Sequence, residues 1–398
     1  MVRREAWEEM ARIYLDHAAT TPVDPRVLEA MWPMYTKYWG NPSSIYLEGQ
    51  EARRALDNAR KLCADLLGVS PKEIVFTSGG TESDNAAIRG AAFAQRALGR
   101  GNHIVTTQIE HHAVLHTVEQ LEREGFRATY LPVDSEGFVD LEALAEAVGP
   151  ETVVVSIMAA NNEVGTIEPI EEAVRIAKER NPHVVFHTDA VQAAGAIDIS
   201  PRKLGVDLLS IAAHKFYGPK GVGLLYIRNR TPWQPMLLGG GQERERRAGT
   251  ENVAGIVGMA TAMRLAWEEM EERNAHCRRL RDRLFYGIPE RIPDTVITGP
   301  KDPEKRLPNN FSCCFRNVEG ESVLLALDMA DIAASSGSAC TTGSVEPSHV
   351  LTAMGIDRDL AHASLRLTVG KGNTEEEIDR VLSVLPEIVS RLRALAGS

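Results

Sequence analysis

Short apolar runs alternate with amphipathic stretches through most of the chain. The runs Glu73–Thr77, His103–Thr107, Ala128–Pro132, Thr152–Ala160, Val184–Thr188, Asp207–Ala213 and Gly221–Ile227 predict strands. Several are unbroken Val, Ile and Leu rather than alternating apolar and polar. Strands of that kind are covered on both faces, as in a parallel sheet. The segments between them, Glu82–Leu98, Ala113–Glu124, Leu141–Val148 and Ile170–Glu179, carry helical periodicity. Strand–helix alternation sustained from Glu73 to Ile227 predicts an α/β sandwich with one large sheet.

Past Val253 the texture changes. A long charged helical pattern runs from Ala254 to Tyr286, and its part Ile256–Glu272 is a candidate bridge between two domains. Connections rich in proline follow (Pro289, Pro293, Pro300, Pro303, Pro308), then short strand candidates and a final helix Thr374–Leu395. This portion reads as a second, smaller α/β domain.

Composition narrows the classes. With 398 residues, 43% hydrophobic and 25% charged, the chain can bury a large core and is neither disordered nor fibrous. A net charge of −11 argues against nucleic-acid partners. No apolar run reaches the roughly 18 residues of a membrane helix, and Met1–Arg12 is too polar for a signal peptide. Five cysteines, an odd number in a long chain, suit a reducing compartment without a disulfide framework. The expectation is a cytoplasmic enzyme that binds neither membrane nor nucleic acid.

Among ten lysines, Lys215 stands apart. It follows the apolar run Asp207–Ala213 and precedes a Gly/Pro turn, so its amine sits at the carboxyl end of a buried strand, where ligand sites of α/β sheets lie. Burial favours the neutral amine, the form that makes a Schiff base; the alternative is a lysine that neutralises a nearby carboxylate. Asp189 ends another strand, with Gln192 three residues on. A carboxylate there can keep a pyridine nitrogen protonated. Ser78-Gly-Gly-Thr-Glu-Ser follows a strand and opens a helix, where backbone N–H groups can meet a phosphate, although the spacing is neither Walker A nor dinucleotide-binding. His111, His112 and His116 follow a further strand. A metal would use His112 and His116 at helical spacing, but no carboxylate stands at ligand spacing beyond Glu110. Stacking on a cofactor ring is the rival use for an imidazole, and a structural role is the reading for His112 and His116.

Cys63 and Cys277 fall in helical patterns and read as packing residues. Cys313 and Cys314 are adjacent in a strand and so point to opposite faces. Cys340 lies in the small, Gly-rich stretch Ser335–Ser348, a loop able to expose its thiol. Beside an aldehyde-cofactor site, this thiol reads as a nucleophile.

Taken together, Tyr14-Leu-Asp-His-Ala-Ala-Thr-Thr-Pro, Gly40-Asn-Pro-Ser-Ser, Ser78-Gly-Gly-Thr-Glu-Ser, Glu110-His-His-Ala-Val, Asn161-Asn-Glu-Val-Gly, Asp189-Ala-Val-Gln, His214-Lys215, Arg247-Ala-Gly-Thr, Ser336-Gly-Ser-Ala-Cys and Ser364-Leu-Arg-Leu resemble the cysteine desulfurases of the class V aminotransferase superfamily. The Cys340 loop is most similar to the nitrogenase-type and housekeeping iron–sulfur-assembly branch. The resemblance implies the fold type I of pyridoxal-phosphate-dependent transferases. That is a large domain, residues 13–260, with a mostly parallel seven-stranded sheet between helices, and a small α/β C-terminal domain, residues 261–398, that carries the Cys340 loop. The first residues of the large domain are free to pack on the small one.

By the same resemblance Lys215 holds pyridoxal phosphate as a Schiff base, and His111 stacks on the ring and shuttles protons. Asp189 pairs with the ring nitrogen and Gln192 with the ring hydroxyl. Gly80, Thr81 and His214 bind phosphate, and Thr250 reaches the phosphate of a second subunit in a homodimer. Asn162 and Arg366 clamp the carboxylate of L-cysteine, with help from Asn41. Cys340 takes the substrate sulfur as a persulfide, leaving alanine, and hands it to an acceptor such as an iron–sulfur scaffold protein. No resident metal is implied, although Cys340 could serve as a transient iron–sulfur ligand. Three alternatives stay open: a selenocysteine lyase or aminotransferase on the same fold, in which Cys340 is dispensable; a hydrolase with a metal on His111, His112 and His116; and a non-catalytic assembly scaffold.

The chain departs from the family at Ala212, where a serine usually offers its hydroxyl to the phosphate. Ser210, two residues earlier on the same strand face, could compensate only by a backbone shift. One hydrogen bond to a charged group is worth roughly 1.5–3 kcal/mol. Ala212→Ser is therefore expected to retain pyridoxal phosphate about tenfold more tightly or better, read by absorbance during dialysis. Equal retention contradicts the assignment.

Overall fold

The apolar runs do form one large sheet. A computed structural model describes residues 12–337 and 346–396. A short β1 (Ile13–Tyr14) precedes the seven strands β2 (Ile74–Thr77), β3 (His103–Thr107), β4 (Arg127–Leu131), β5 (Thr152–Ser156), β6 (Val185–Asp189), β7 (Leu208–Ala212) and β8 (Gly223–Ile227). Their order across the sheet is β2-β8-β7-β6-β5-β3-β4. Only β8 is antiparallel to its neighbours β2 and β7; the other pairings are parallel. This is the mostly parallel sheet that the resemblance implied.

Alternation along each strand explains the unbroken Val/Ile/Leu runs. Val154, Val185, Leu208 and Leu225 face one core. Their chain neighbours Val155, Phe186, Leu209 and Leu224 face the opposite one. Each such buried side chain stabilises the fold by about 1.5–3 kcal/mol. Helices Gly80–Ala97 and His112–Arg123 cover the first face, and helices Pro25–Thr36, Leu47–Leu67, Leu141–Ala147, Ile170–Arg180 and Val253–Glu268 the second. The predicted strand Thr152–Ala160 stops at Ser156. Beyond it Ile157 and Ala159 still donate to the carbonyls of His187 and Asp189, but the chain bends away towards Asn162.

The C-terminal part carries β9 (Thr295–Ile297), β10 (Asn310–Phe315), β11 (Ile332–Ala333) and β12 (Ser364–Thr368). An antiparallel sheet β12-β10-β9 and a parallel pair β1-β11 surround a core of Leu280, Leu284, Phe311, Phe315, Leu367 and Leu385. Ile13 and Leu15 belong to this core, so the start of the described chain packs on its end. The single long helix expected over Ala254–Tyr286 is two, Val253–Glu268 and Met270–Arg291, which meet at Glu269. The first is apolar and sits against helices Pro25–Thr36 and Leu47–Leu67. The second turns Leu280, Leu284 and Ile288 into the C-terminal core. The break lets each half face its own core, and Arg26 Nη1 fastens it by donating to Glu269 Oε1 at 2.6 Å. Cys313 and Cys314 do point apart, one into the C-terminal core and the other into a small cluster with Ile109, Met158 and Val350. Among the described residues, no helix is long and apolar enough to cross a membrane.

One buried ion pair ties the turn at Glu243 to the edge strand β2. Glu243, Arg244 and Glu245 all adopt left-handed backbone, at φ 48°, 60° and 65°. Glu243 is buried and accepts hydrogen bonds from Arg60 Nη1 (2.9 Å), Arg60 Nη2 (2.5 Å) and the Phe76 N–H (2.9 Å). Removing one member of a buried pair strands the other charge, at a cost of about 3–5 kcal/mol. Glu243→Gln is therefore expected to lower unfolding stability by about 3 kcal/mol in a urea titration, and Arg60→Met added to it to recover most of that loss. An unchanged midpoint in the single variant would contradict this.

Candidate active site at the carboxyl edge of the sheet

Because β2 to β7 run in one direction, their carboxyl ends meet at one edge, where α/β sheets bind ligands. A cavity of about 390 Å³ opens there, within the roughly 300–1,000 Å³ of small-molecule sites. β7 ends at Ala212, and one tight turn, Ala213–Lys215, carries the lysine into the cavity. Lys215 Nζ donates to the carbonyls of Ala18 (2.5 Å) and Ala19 (2.9 Å). Asp189 ends β6 and is buried; its Oδ1 accepts from the Val191 N–H at 2.9 Å. Burial pushes its carboxyl up to about 6, while the Val191 N–H and the Lys215 charge pull the other way.

The helix Gly80–Ala97 aims its first turn into the cavity, bringing Gly80 and Thr81 to the wall. N–H groups at a helix start lack partners within the helix and favour anions. The approach is tight: a Cβ on Gly80 would lie 2.8 Å from Val191 Cγ2, and one on Gly223 of β8 would lie 2.7 Å from the backbone of Gly79. Ala212 lines the same wall. Ser210 Oγ lies 3.0 Å from His187 Nε2, so that hydroxyl is engaged inside the sheet rather than turned to the cavity.

His111 and His214 both line the cavity and both are held neutral. His111 caps the helix His112–Arg123, its Nδ1 accepting from the Ala113 N–H at 3.1 Å, which leaves the ring proton on Nε2. Burial, then the Lys215 charge, brings each imidazole down to about 4. Gln192 Nε2 donates to the Ala18 carbonyl at 2.9 Å. Arg366, on β12, crosses from the C-terminal sheet. It is buried and donates from Nη1 to the Asn162 carbonyl and from Nη2 to Asp16 Oδ1, each at 2.8 Å.

Gly80, Thr81, His111, Asn162, Asp189, Gln192, His214, Lys215 and Arg366 thus share one cavity, as the sequence predicts. Two residues do not join them in the single chain. Asn41 is exposed, its Oδ1 capping the Ser43 N–H. Thr250 is exposed and lines a separate cavity of about 190 Å³ beside Thr77, Ser78 and Arg247. Cys340 lies outside the described residues; Gly337, just before it, lines the cavity. The His112 ring lies 4.8 Å from that of His116 and 4.7 Å from that of His349, centroid to centroid, and among the described residues no group of three or more His, Cys, Asp or Glu could hold a metal ion.

Sequence reasoning assigned no role to five groups at or beside the cavity. The carbonyls of Ala18 and Ala19 have no side-chain signal. Asp16 meets Arg366 across 350 positions, which no local pattern reveals. Met158 lies just past β5. Asp84 was legible, because it falls one helical turn after Gly80 on the face that meets the sheet.

The aminotransferase class-V family model matches residues 13–381. A relative from Clostridium botulinum named cysteine desulfurase IscS is 52% identical over 385 residues, covering 97% of this chain and 96% of that protein. Another of that name, from Methanosarcina thermophila, is 53% identical over 388 residues, covering 98% and 94%. A solved structure titled a NifS-like protein superposes with a TM-score of 0.90 at 46% identity, over 96% of this chain and all of that one. Matched from its first strand to its last helix, the chain belongs to the aminotransferase class-V family.

Proposed function

We propose that this protein is a pyridoxal-phosphate-dependent cysteine desulfurase, which takes sulfur from L-cysteine, releases L-alanine and passes the sulfur from Cys340 to an acceptor protein. The convergence of Lys215, Asp189 and Arg366 on one buried cavity carries this reading, in a chain about half identical to proteins named for that reaction. The donor set fits the cofactor: an amine, a buried carboxylate and a helix start that a Cβ at Gly80 would block. When bound, pyridoxal phosphate supplies an aldehyde for amines and a ring that draws electrons from the substrate α-carbon.

The residues divide the remaining work. Lys215 would hold the aldehyde, and its free amine would take the substrate α-proton and return it. Asp189 keeps a proton on the ring nitrogen, and Gln192 binds the ring hydroxyl. Gly80, Thr81 and His214 hold the phosphate. His111, neutral with its proton on Nε2, stacks on the ring and moves protons at that atom. Arg366 and Asn162 bind the substrate carboxylate, with Asn41 assisting, and Asp16 keeps the guanidinium aimed before substrate arrives. The Cys340 thiolate attacks the substrate sulfur. The Cβ–S bond breaks with its electron pair passing to carbon, an S–S bond forms on Cys340, Cβ takes up a proton, and the carbon skeleton leaves as alanine.

Thr250 is assigned to the phosphate of a second subunit. A homodimer is supported by the exposed apolar side chains Trp32, Tyr35, Trp39, Ile45 and Leu47 near the start of the chain. An iron–sulfur scaffold protein is the acceptor we favour. The four cysteines among the described residues are free thiols, which suits the reducing cytoplasm where we place the enzyme.

Borohydride reduction of the yellow protein, followed by peptide mapping, is expected to tag Lys215; a tag elsewhere overturns the reading. Cys340→Ser is expected to keep the visible spectrum and to lose about 100-fold or more in alanine formation with a thiol acceptor. Unimpaired turnover would remove Cys340 from the mechanism. Asp189→Asn, which keeps the shape and removes the charge, is expected to lower alanine formation about 100-fold or more. An unchanged rate would contradict the role of Asp189.

A further inference from the structure

Cys340 lies between two fixed points of the chain. On its N-terminal side Ser335 pairs with Arg366 of β12 through the backbone. The Ser335 N–H donates to the Arg366 carbonyl at 3.2 Å, and the Arg366 N–H to that of Ser335 at 2.6 Å. On its C-terminal side Ser348 opens the helix His349–Ala353, its Oγ accepting from the Leu351 N–H at 3.2 Å. Val350 and Leu351 are buried in one cluster with Ile109, Met158 and Val164, and His349 Nε2 lies 2.9 Å from the Glu110 carbonyl.

Glu163 reaches both sides. It follows Asn162 in the turn after β5 and is buried. Ser348 Oγ donates to Glu163 Oε2 at 2.5 Å. A Cβ on Gly337 would lie 2.8 Å from that same oxygen and 3.3 Å from Glu163 Cβ. Gly337 also adopts left-handed backbone, at φ 60°, so glycine suits the position twice over. The Glu163 backbone is itself held, its N–H donating to Asn161 Oδ1 at 2.8 Å and its carbonyl accepting from Asn310 Nδ2 of β10 at 3.2 Å. Gly337 and Ser348, with ten residues of chain between them, thus meet one carboxylate oxygen on a rigid support.

The consequence is one of reach. A chain extends by at most about 3.3–3.6 Å per residue, so Cys340, three residues past Gly337, stays within about 11 Å of it. Gly337 lines the cavity together with Lys215, Asn162 and Arg366. Closing a loop at its neck removes freedom from its ends. With the neck held, the thiol starts from a fixed point beside the substrate; with the neck open, the drift of Gly337 adds to its range and dilutes it there.

We propose that Glu163 is a positioning residue for sulfur transfer: its Oε2 clasps Gly337 and Ser348, the two flanks of the segment that carries Cys340, and so fixes where that segment departs from the cavity. This rests on the role given to Cys340 above.

Amide hydrogen exchange of the holoenzyme tests the clasp, read on peptides containing Ser335–Gly337 and Ser348–Leu351. In Ser348→Ala the lost cap on Leu351 loosens only the second of these. The clasp requires more: Ser348→Ala is expected to speed exchange at Ser335–Gly337 as well, by about threefold or more. Glu163→Ala is expected to speed both, and the double variant to add nothing further at Ser335–Gly337. Glu163→Gln, whose carboxamide oxygen still accepts from Ser348, is expected to stay within about twofold of the wild type on both peptides. In the first turnover Ser348→Ala is expected to form the Cys340 persulfide about tenfold more slowly. The L-cysteine concentration that half-saturates the absorbance change is expected to hold within about twofold, because Arg366 and Asn162 are untouched. Exchange raised only at Ser348–Leu351, additive effects in the double variant, or an unchanged persulfide rate overturns the proposal. If Cys340→Ser turns over unimpaired while Ser348→Ala still loosens Ser335–Gly337, the role of Cys340 fails and the clasp between its flanks stands.

Discussion

The constraint on which this molecule depends is the cost of keeping charge out of water at the carboxyl edge of its sheet. A buried ammonium, guanidinium or carboxylate persists only where partners replace its hydration. Lys215 receives the carbonyls of Ala18 and Ala19, and Arg366 receives Asp16 and the Asn162 carbonyl. Three of these acceptors lie on one extended segment. It begins in the C-terminal core at Ile13 and Leu15 and ends at Asp24, which caps the helix Pro25–Thr36 and pairs with Lys371. The segment that solvates the cationic groups of the cavity is also what ties the two cores together, so site and domain arrangement rest on the same contacts.

The sheet was legible in the sequence because burial on both faces demands apolar residues at every position, as in Val153–Val155 and Leu208–Leu209. Lys215, Asp189 and the Gly79–Gly80 turn were legible because strand ends are marked by the change from apolar to polar or glycine. The helix break at Glu269 was not legible. Charged residues crowd both of its flanks, and nothing local states that two different cores compete for the two halves. The placement of Asn41 and Thr250 was equally hidden. Their motifs carry the family resemblance, yet the single chain leaves both exposed and away from the cavity that holds Lys215. Asp16 illustrates the same limit within the chain, since its partner lies on a strand of the other sheet.

Ser156, His187 and Ser210 show why a polar residue in a buried strand need not spoil the pattern. Each occupies a position where alternation calls for an apolar side chain on the face covered by the helix Gly80–Ala97. Unpaired, each would cost about 1–3 kcal/mol. Joined across β5, β6 and β7, they satisfy one another, and the desolvation of one group becomes the hydrogen bond of the next. Such a chain carries a direction, which an apolar layer cannot.

Direction matters because the cavity sorts charge with care. Around it the imidazoles of His111, His214 and His187 are all kept neutral, by burial first and, for the two that line the cavity, by the Lys215 charge as well. Positive charge is thereby reserved for Lys215 and Arg366, and for the unpartnered N–H groups of the helix at Gly80. A substrate carboxylate then meets a single guanidinium at one end of the cavity, while the substrate amine is directed to the aldehyde that Lys215 would hold at the other. Had any of the histidines been protonated, a second cation would compete for that carboxylate and the orientation would blur. The same dryness that makes each charge expensive therefore makes each one specific, which is how an apolar α/β sheet can present so few charges and still fix a small polar molecule in one pose.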